Sequence, residues 1–217
     1  MLIELGKENT IFNRFLSELR DEQIQKDPLR FRRNMQRIGE IFAYEISKKF
    51  DYTDKEIITP LGAAQMKLPE EQPVLATILR AGLPLHQGLL NYFDRADNAF
   101  VSAYRQYHKK GTFTIKLDYV SSASIEGRIL VISDPMLATG GSLIAALNGL
   151  LLKGKPKHIH IVNVLAAHEG IKAIKKRFSL KDITLWVGAI DDELTAKAYI
   201  VPGLGDAGDL AFGEKDD

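Results

Sequence analysis

The sequence contains no cysteine. Disulfide bonds, thiolate catalysis and cysteine-ligated zinc are therefore excluded. No apolar run reaches the length that a membrane-spanning helix needs. The first 14 residues mix charged and apolar side chains, which is not typical of a signal peptide. These absences lead us to expect a cytoplasmic protein without a membrane partner.

The sequence also lacks a strong net charge. The formal net charge is +1 over 217 residues, so the overall field attracts neither nucleic acid nor anionic lipid. Hydrophobic residues make up 45% and charged residues 26%, the ordinary balance of a globular protein. The length suits one compact domain. We therefore expect a single domain and do not expect nucleic acid as its partner.

An amphipathic helix is predicted near the N-terminus, over residues 29–50. Its apolar residues recur at steps of three and four, as one face of a helix requires: Phe31, Met35, Ile38, Phe42 and Ile46. Such a stripe packs either on the protein's own core or on a partner subunit.

The rest of the chain alternates short apolar runs with helical patterns. The predicted strands cover residues 74–79, 99–104, 129–133, 159–166 and 183–190. The predicted helices cover residues 83–92, 143–152 and 169–178. This alternation indicates an α/β fold with a mostly parallel central sheet flanked by helices. Ligands of such sheets bind beyond the carboxyl ends of the strands, so the loops directly after strands should carry the function.

The most specific motif follows the third predicted strand. It reads Asp134, Pro135, Met136, Leu137, Ala138, Thr139, Gly140, Gly141 and Ser142. Gly140 and Gly141 let the backbone approach an anion, and a helix that begins near Ser142 offers unpaired N–H groups to it. Thr139 and Ser142 add hydroxyl donors, and this combination suits a phosphate monoester. Asp134 would repel phosphate but accept hydrogen bonds from sugar hydroxyls, which indicates a ribose beside it.

Two better-known phosphate motifs are absent from this loop. It lacks the Gly-Lys-Ser/Thr ending of the nucleotide P-loop and the Gly-x-Gly-x-x-Gly dinucleotide pattern. An alternative interpretation is a strand-to-helix turn in which Ser142 is only the helix N-cap.

A second motif lies near the C-terminus, over residues 199–209. Three glycines and a proline in this span predict irregular structure. A flexible terminus is the alternative, but the apolar residues Ile200, Val201, Leu204 and Phe212 indicate that the segment docks on the protein. Exposed backbone N–H and C=O groups in such a loop can bind the edge of a flat base.

Together these segments resemble the motifs of the uracil phosphoribosyltransferases. Residues 134–142 resemble that family's binding motif for phosphoribosyl pyrophosphate (PRPP), and residues 199–209 resemble its uracil-binding loop. The resemblance covers roughly residues 29–213. It implies the type I phosphoribosyltransferase fold, with a small C-terminal base-binding hood and an N-terminal helical segment. It also implies the transfer of phosphoribose from PRPP to uracil, which gives UMP and pyrophosphate.

The resemblance assigns a role to each segment of the single domain over residues 1–217. Residues 1–50 form the N-terminal helical segment, 51–190 the PRPP-binding core, and 191–217 the base-binding loop and tail.

Individual residues also receive roles from the resemblance. Those implied to bind PRPP are Arg80, Arg105, Asp134, Pro135, Met136, Leu137, Ala138, Thr139, Gly140, Gly141, Ser142 and Asp206. Those implied to bind uracil are Ile200, Gly205, Asp206 and Ala207, mainly through their backbones. Asp134, Arg80 and Arg105 would be catalytic. Mg²⁺ would be bound with PRPP and not by a protein-only site. The family also implies a homodimer or larger even oligomer, with GTP as a candidate effector.

The sequence departs from the family pattern at two places. Residues 106–111 are basic where relatives carry acidic residues, ahead of Lys116-Leu117, which resembles the end of a mobile loop over PRPP. Leu210 stands where relatives commonly place a basic residue. In the acidic run 191–193 we expect solvated side chains beside Asp191, which lies near the base-binding end.

Three alternative functions also fit the sequence. The first is a phosphoribosyltransferase for a purine or for orotate. The second is a regulatory protein that binds PRPP or nucleotides and acts on RNA. The third is a relative that binds ligand with weak or no catalysis.

Overall fold

The structure is a computed structural model that describes residues 1–107 and 113–215. For residues 104–107 and 113–115 only the backbone is described. The basic part of the predicted mobile loop, residues 108–111, therefore lies outside the described residues.

The described chain alternates strands and helices, as the sequence predicts. The strands are β1 (Leu2–Glu4), β2 (Tyr52–Thr59), β3 (Gly62–Pro69), β4 (Val74–Leu79), β5 (Asp97–Tyr107), β6 (Phe113–Ser121), β7 (Ile129–Ser133), β8 (Met136–Leu137), β9 (His158–Ala167), β10 (Ile183–Asp191), β11 (Glu193–Leu194) and β12 (Ile200–Val201). The α-helices are α1 (Phe12–Arg20), α2 (Pro28–Ser47), α3 (Leu83–Tyr92), α4 (Gly141–Leu150), α5 (His168–Arg177) and α6 (Ala207–Phe212). All five predicted strands and the four predicted helices are confirmed, with boundaries shifted by three residues at most.

The central sheet is mostly parallel, which confirms the predicted fold class. Its order is β1-β10-β9-β7-β4-β5-β6, and the short β8 pairs with β9 beside this path. Only β6, at one edge of the described sheet, runs antiparallel to its neighbour. Parallel neighbours need a crossover, and α3, α4 and α5 supply the crossovers after β4, β7 and β9.

Helices cover both faces of the sheet, so its inner strands are apolar on both sides. In β7, Ile129 and Val131 pack into one core, together with residues of α1, α2, α3 and α6. Leu130 and Ile132 point the other way, into a second core with residues of α4 and α5. Successive side chains of a strand face opposite sides, so burial on both faces produces the continuous apolar runs of the sequence.

The long helix α2 packs on the protein's own core. Asp27 caps it, because its Oδ1 atom accepts hydrogen bonds from the N–H groups of Leu29 (2.9 Å) and Arg30 (3.1 Å). The five apolar residues of the predicted stripe are at most 1% exposed, so the core interpretation is confirmed. Although α2 is 20 residues long, no helix of the described chain is both long and apolar enough to span a membrane.

Strand β1 and the pair β2 and β3 were not predicted from the sequence. β1 joins the central sheet as a parallel neighbour of β10. β2 and β3 form an antiparallel hairpin that belongs to a separate two-stranded sheet, with most of its side chains exposed. A strand exposed on both faces has no apolar alternation, so the sequence pattern did not predict it.

Candidate active site

The loop after β7 lies at the carboxyl edge of the sheet. Its first residues form β8, in which Met136 and Leu137 pair with Leu165 and Ala166 near the end of β9. Pro135 is fixed by the same strand, because its carbonyl oxygen accepts the N–H groups of Val164 and Leu165 (3.0 and 2.9 Å). The turn that follows therefore starts from backbone that is hydrogen-bonded to β9.

The loop after β4 is in close contact with the end of β7. A Cβ atom on Gly82 would lie 2.1 Å from Thr77 Oγ1 and 3.2 Å from the carbonyl oxygen of Ser133. Only a glycine allows this approach, which brings the loop after β4 against the end of β7.

Gly140 determines the shape of the turn between β8 and α4. We call the whole loop after β7, residues 134–142, the phosphate turn. Its φ of +84° and ψ of −4° are left-handed, a conformation that costs other L-residues about 1–2 kcal/mol. A Cβ atom there would lie 3.2 Å from Ala173 Cβ and 3.3 Å from the carbonyl oxygen of Gly170. Both geometry and packing therefore require glycine at this position.

The helix after the turn begins one residue earlier than predicted. Gly140 is the N-cap of α4 and has no side chain to cap it, whereas Thr139 Oγ1 accepts a long hydrogen bond from Gly141 N–H (3.5 Å). The alternative interpretation of Ser142 as the N-cap is therefore wrong. Ser142 lies in the first turn of α4, where N–H groups have no intrahelical acceptors and the helix dipole is positive.

This turn lines a small pocket. The lining residues are Asp134, Met136, Leu137, Ala138, Thr139, Gly140, Gly141, Ser142 and Leu143. Eight of them belong to the predicted PRPP motif, from which only Pro135 is missing. Free N–H groups and two hydroxyl groups around a small concave space can bind a phosphate.

Asp134 is partly buried at the floor of this pocket. Burial raises the pKa of its carboxyl group to about 7, although the N–H of Met136 lowers it somewhat. The Asn163 side chain, on β9, donates to the backbone oxygen of Asp134 at 2.6 Å. Its own Oδ1 atom is buried without a protein partner. Sequence reasoning missed Asn163, although an amide within an otherwise apolar strand was a signal for it.

Arg80 links the β4 loop to the C-terminal segment. Its Nη2 atom lies 3.1 Å from Asp209 Oδ1, in α6, and 3.0 Å from the carbonyl oxygen of Gly213. Its Nε atom is buried and has no partner in the protein. The guanidinium group therefore ties the loop after β4 to the C-terminal segment and keeps a buried Nε donor without a protein partner.

The C-terminal segment is more regular than predicted. Ile200–Val201 form β12 and residues 207–212 form α6, so the prediction of an irregular segment over residues 199–209 is wrong at both places. Asp206 is its N-cap, since Oδ1 accepts the N–H groups of Gly208 (2.8 Å) and Asp209 (3.1 Å). The other carboxylate oxygen lies 3.6 Å from Lys215 Nζ. Sequence reasoning missed this capping role, although Asp is a preferred residue directly before the first turn of a helix.

The predicted base-contacting residues meet the phosphate turn in one core. Ile200 and Ala207 are buried, and Met136 of the phosphate turn packs against the same cluster. Gly205 is exposed with a φ of +93°. Ala207 is the first residue of α6, so its N–H has no intrahelical acceptor. Residues of both predicted motifs therefore pack on the same core.

Arg105 and Leu210 are the remaining positions that the sequence singled out. Arg105 lies on β5, where its backbone pairs with Ile115, but its side chain is not among the described features. Leu210 is partly buried and packs against the core under α6. The apolar residue at this position therefore has a packing role in this chain.

A larger pocket lies at the opposite, amino edge of the sheet. Residues at the starts of β7, β9 and β10 line it, among them Ile129, His158 and Thr184. Parallel sheets bind ligands at their carboxyl edge, where the glycine turn and the arginine lie. We therefore take the carboxyl edge as the candidate active site.

A parallel sheet with a glycine-bearing phosphate turn after a central strand, and a hood built from the last segment, is the fold of type I phosphoribosyltransferases. A solved hypoxanthine phosphoribosyltransferase from Staphylococcus aureus shares this fold, with a TM-score of 0.50 and 19% identity over 74% of each chain. A closer solved structure is AQ2163 from Aquifex aeolicus, with a TM-score of 0.86 and 31% identity over 98% of each chain.

Sequence comparisons identify the particular family. The family model for uracil phosphoribosyltransferase matches residues 7–214. The uracil phosphoribosyltransferase of Porphyromonas gingivalis is 52% identical over 214 residues, which is 99% of both chains. That of Methanococcus vannielii is 41% identical over 92% of this chain and 84% of its own. The chain belongs to the uracil phosphoribosyltransferase family.

Proposed function

We propose that the protein transfers the phosphoribosyl group of PRPP to uracil and so forms UMP and pyrophosphate. The observation that carries this proposal is a glycine-bearing turn at the carboxyl edge of the sheet that lines a small pocket, with residues of the predicted base loop packed on the same core as Met136 of that turn. The 52% identity to a uracil phosphoribosyltransferase over the full chain supports the same reaction.

The phosphate turn would bind the 5′-phosphate of PRPP. Backbone N–H groups at Gly140, Gly141 and Ser142 lie at the start of α4, and the hydroxyl group of Thr139 lies beside them. Asp134, on the floor of the same pocket, would accept hydrogen bonds from the ribose hydroxyls. In this arrangement the reactive C1 of the ribose would face the loops after β4 and β10.

Arginine side chains would hold the leaving pyrophosphate. Arg80 carries a buried, unused Nε donor and lies in the loop next to the end of β7. Arginine suits this role because its planar fork stays charged and matches phosphate oxygens. Arg105, on the neighbouring strand β5, is proposed as the second such residue on the basis of the family resemblance.

The base loop would present uracil to the ribose. Gly205 exposes its backbone, and the N–H of Ala207 is unused by α6. Uracil offers two carbonyl oxygens on either side of an N–H group, an edge that the backbone of Ile200, Gly205 and Ala207 can match. Asp206 stands between these residues and the PRPP side.

The chemistry requires no nucleophilic side chain. The bond from C1 to the pyrophosphate oxygen breaks, N1 of uracil bonds to C1, and the N1 proton is released. Positive charge develops on the sugar ring, by analogy with glycoside chemistry. Ionised Asp134 would stabilise this charge, while the fixed loops hold both substrates in line.

Mg²⁺ is expected to enter with PRPP. The described residues contain no group of three or more His, Asp or Glu side chains that could hold a metal ion. Mg²⁺ is often bound by substrate phosphates plus one or two carboxylates. Asp206 fits that role, because its cap uses only Oδ1 and leaves Oδ2 beside Lys215. The ion would neutralise charge on the pyrophosphate.

The direct experiment is a UMP-forming assay of the purified protein with PRPP and Mg²⁺. Uracil, cytosine, hypoxanthine and orotate are compared side by side, each with and without GTP. We expect turnover with uracil and little with the others. Preferred turnover of hypoxanthine or orotate would favour the related transferases. PRPP binding without any turnover would favour the ligand-binding relative or the regulatory protein, which a salt-dependent RNA titration separates.

We further propose a homodimer or larger even oligomer in the cytoplasm. The β2–β3 hairpin extends from the domain with exposed apolar side chains: Ile57, Ile58, Leu61 and Met66. A two-stranded hairpin is marginally stable alone, so a second copy that covers these residues would stabilise it.

A further inference from the structure

One ion pair connects the N-terminal helix α1 to the end of β10. Arg20, the last residue of α1, donates from Nη1 and Nη2 to the two carboxylate oxygens of Asp191, both at 2.8 Å. Asp191 is the last residue of β10 and is only 7% exposed. A bidentate ion pair of this kind fixes both side chains in one orientation.

The same pair binds both backbone groups of one residue in the base loop. The N–H of Gly203 donates to Asp191 Oδ2 at 2.9 Å. Arg20 Nη1 donates to the carbonyl oxygen of Gly203 at 3.1 Å. We call Arg20 and Asp191, with their bonds to Gly203, the loop clamp.

Gly203 is the position where the base loop turns most tightly. Its φ is +59°, and a Cβ atom there would lie 2.1 Å from the carbonyl oxygen of Ile200. The residue lies three positions after Ile200 and two before Gly205. The loop clamp therefore fixes the centre of the segment whose ends are proposed to contact uracil.

A second contact from the same part of the chain supports this role. With the Gln25 amide in the orientation that satisfies its hydrogen bonds, its nitrogen donates to the carbonyl oxygens of Leu204 (2.7 Å) and Leu19 (3.2 Å). Gln25 lies five residues after the end of α1, in a 3-10 turn over Ile24–Lys26. The α1 segment thus holds two consecutive residues of the base loop by their backbones.

We propose that Arg20 and Asp191 are positioning residues for the base-binding loop. The inference rests on the proposed function, because it assumes that residues 200–207 bind uracil. Backbone groups discriminate a base only where they are held at fixed positions, and a shift of about 1 Å is enough to lose much of the reaction rate. The clamp lets helix α1, which lies outside the pocket, determine affinity for uracil.

Arg20→Met tests this inference. The substitution keeps an unbranched chain but removes the donors to Asp191 and Gly203. We expect KM for uracil to rise about tenfold while KM for PRPP changes less than about twofold, as loss of one substrate's binding energy predicts. Arg20→Lys keeps the positive charge but cannot donate two parallel hydrogen bonds, so its KM for uracil should lie between those of the wild type and Arg20→Met.

Arg30→Met is the matched control. Arg30 also pairs in two bonds with a carboxylate of α1, from Nε and Nη2 to Glu18 at 3.0 and 2.9 Å. No contact joins it to the base loop among the described residues. Its loss should lower the thermal midpoint without changing KM for uracil. An equal rise in KM for uracil in this control would overturn the inference.

A readout independent of catalysis is hydrogen exchange at residues 200–206. Asp191→Ala removes the acceptor of the Gly203 N–H and should accelerate exchange there, whereas Asp191→Asn keeps an acceptor and should have a smaller effect. Unchanged exchange in folded Asp191→Ala, or unchanged KM for uracil in folded Arg20→Met, would overturn the proposal. If the wild type forms no UMP, the proposed function fails, and the exchange measurement still decides whether the clamp holds the loop.

Discussion

At the scale of single residues, Asp134 is the proposed ribose-binding residue, and its ionised carboxylate destabilises the folded chain. Its pKa is raised from 3.8 to about 7 in the folded chain, mainly by burial. A raised carboxyl pKa contributes stability that is complete below about pH 4. That stability is lost as the pH rises through about 7, since the unfolded chain ionises more easily. Above about pH 7 the folded protein therefore carries an unfavourable carboxylate, in the ionised form that the proposed mechanism requires.

Asp134→Asn should separate stability from activity. At pH 8 we expect the variant to be more stable than wild type by up to about 4 kcal/mol, which is the equivalent of a pKa raised from 3.8 to about 7, and at pH 4 nearly equally stable. The rate kcat/KM for UMP formation should fall about 100-fold or more, because the charge that stabilises the ring is lost. Urea unfolding at both pH values and an activity assay measure these effects. A stability difference that does not change between the two pH values would contradict this explanation.

Gly140→Ala tests the phosphate turn. The alanine must take a φ of +84° and sit 3.2 Å from Ala173 Cβ, so we expect a loss of about 1–2 kcal/mol and a KM for PRPP raised about tenfold or more. Gly127→Ala is the control, since its φ is +67° and no neighbour lies within 4 Å of the added Cβ. The control should lose similar stability with KM unchanged. A raised KM for PRPP in the control would argue against a specific role for the turn.

How well single residues were predicted depends on how local their signals are. Asp134, Gly140 and Arg80 stand in loops directly after apolar strands, so a short stretch of sequence was enough to select them. Arg20 acts on Gly203 across 183 positions of the chain. Its sequence neighbourhood is that of any charged helix end, and only the folded structure reveals the contact.

At the scale of elements, burial determined what could be predicted. Strands such as β4 and β7 are buried on both faces and appear as continuous apolar runs, which gave their bounds correctly. The hairpin β2–β3 is mostly exposed and has no such pattern. Helix α6 is six residues long, follows Gly203 and Gly205 and contains Gly208, so tertiary packing and the Asp206 cap form it where local sequence favours a loop.

The cap of α2 provides a test at this scale. Asp27→Ala removes the acceptor for two N–H groups in the first turn and should cost about 1 kcal/mol of stability. Activity per folded molecule should stay unchanged, since α2 serves the core. Asp94→Ala, at an exposed site, is the matched control and should be neutral. Chemical denaturation of both variants measures the difference, and equal midpoints would show that the cap contributes nothing.

At the scale of the whole molecule, the hairpin predicts how copies assemble. Ile58 is 77% exposed on β2, which a partner copy would explain. We expect a wild-type mass of at least twice 24.2 kDa in sedimentation experiments. Ile58→Lys should shift the protein toward the monomer. Tyr92→Lys, an exposed aromatic residue on α3, is the control and should leave the mass unchanged. A wild-type mass of 24.2 kDa would refute the assembly.

The organisation of the whole chain follows from one property of parallel sheets. Strands β4, β7 and β10 all end at the same edge of the sheet, so the loops that follow them lie at one edge although they are far apart in sequence. The sequence was enough to predict this shared edge, because alternating strands and helices imply a parallel sheet. It could not predict the ties that fix the site, namely Arg80 to Asp209 and the loop clamp to Gly203.

The central claim is that one turn binds a sugar phosphate while the other presents a pyrimidine to it. A crystal structure with UMP bound tests it most directly, since the nucleotide spans both turns. We predict its phosphate oxygens about 2.7–3.2 Å from the N–H groups of residues 140–142. Its base should lie against the backbone of Ile200, Gly205 and Ala207. A base bound elsewhere, or a phosphate outside the turn at Gly140, would contradict the account.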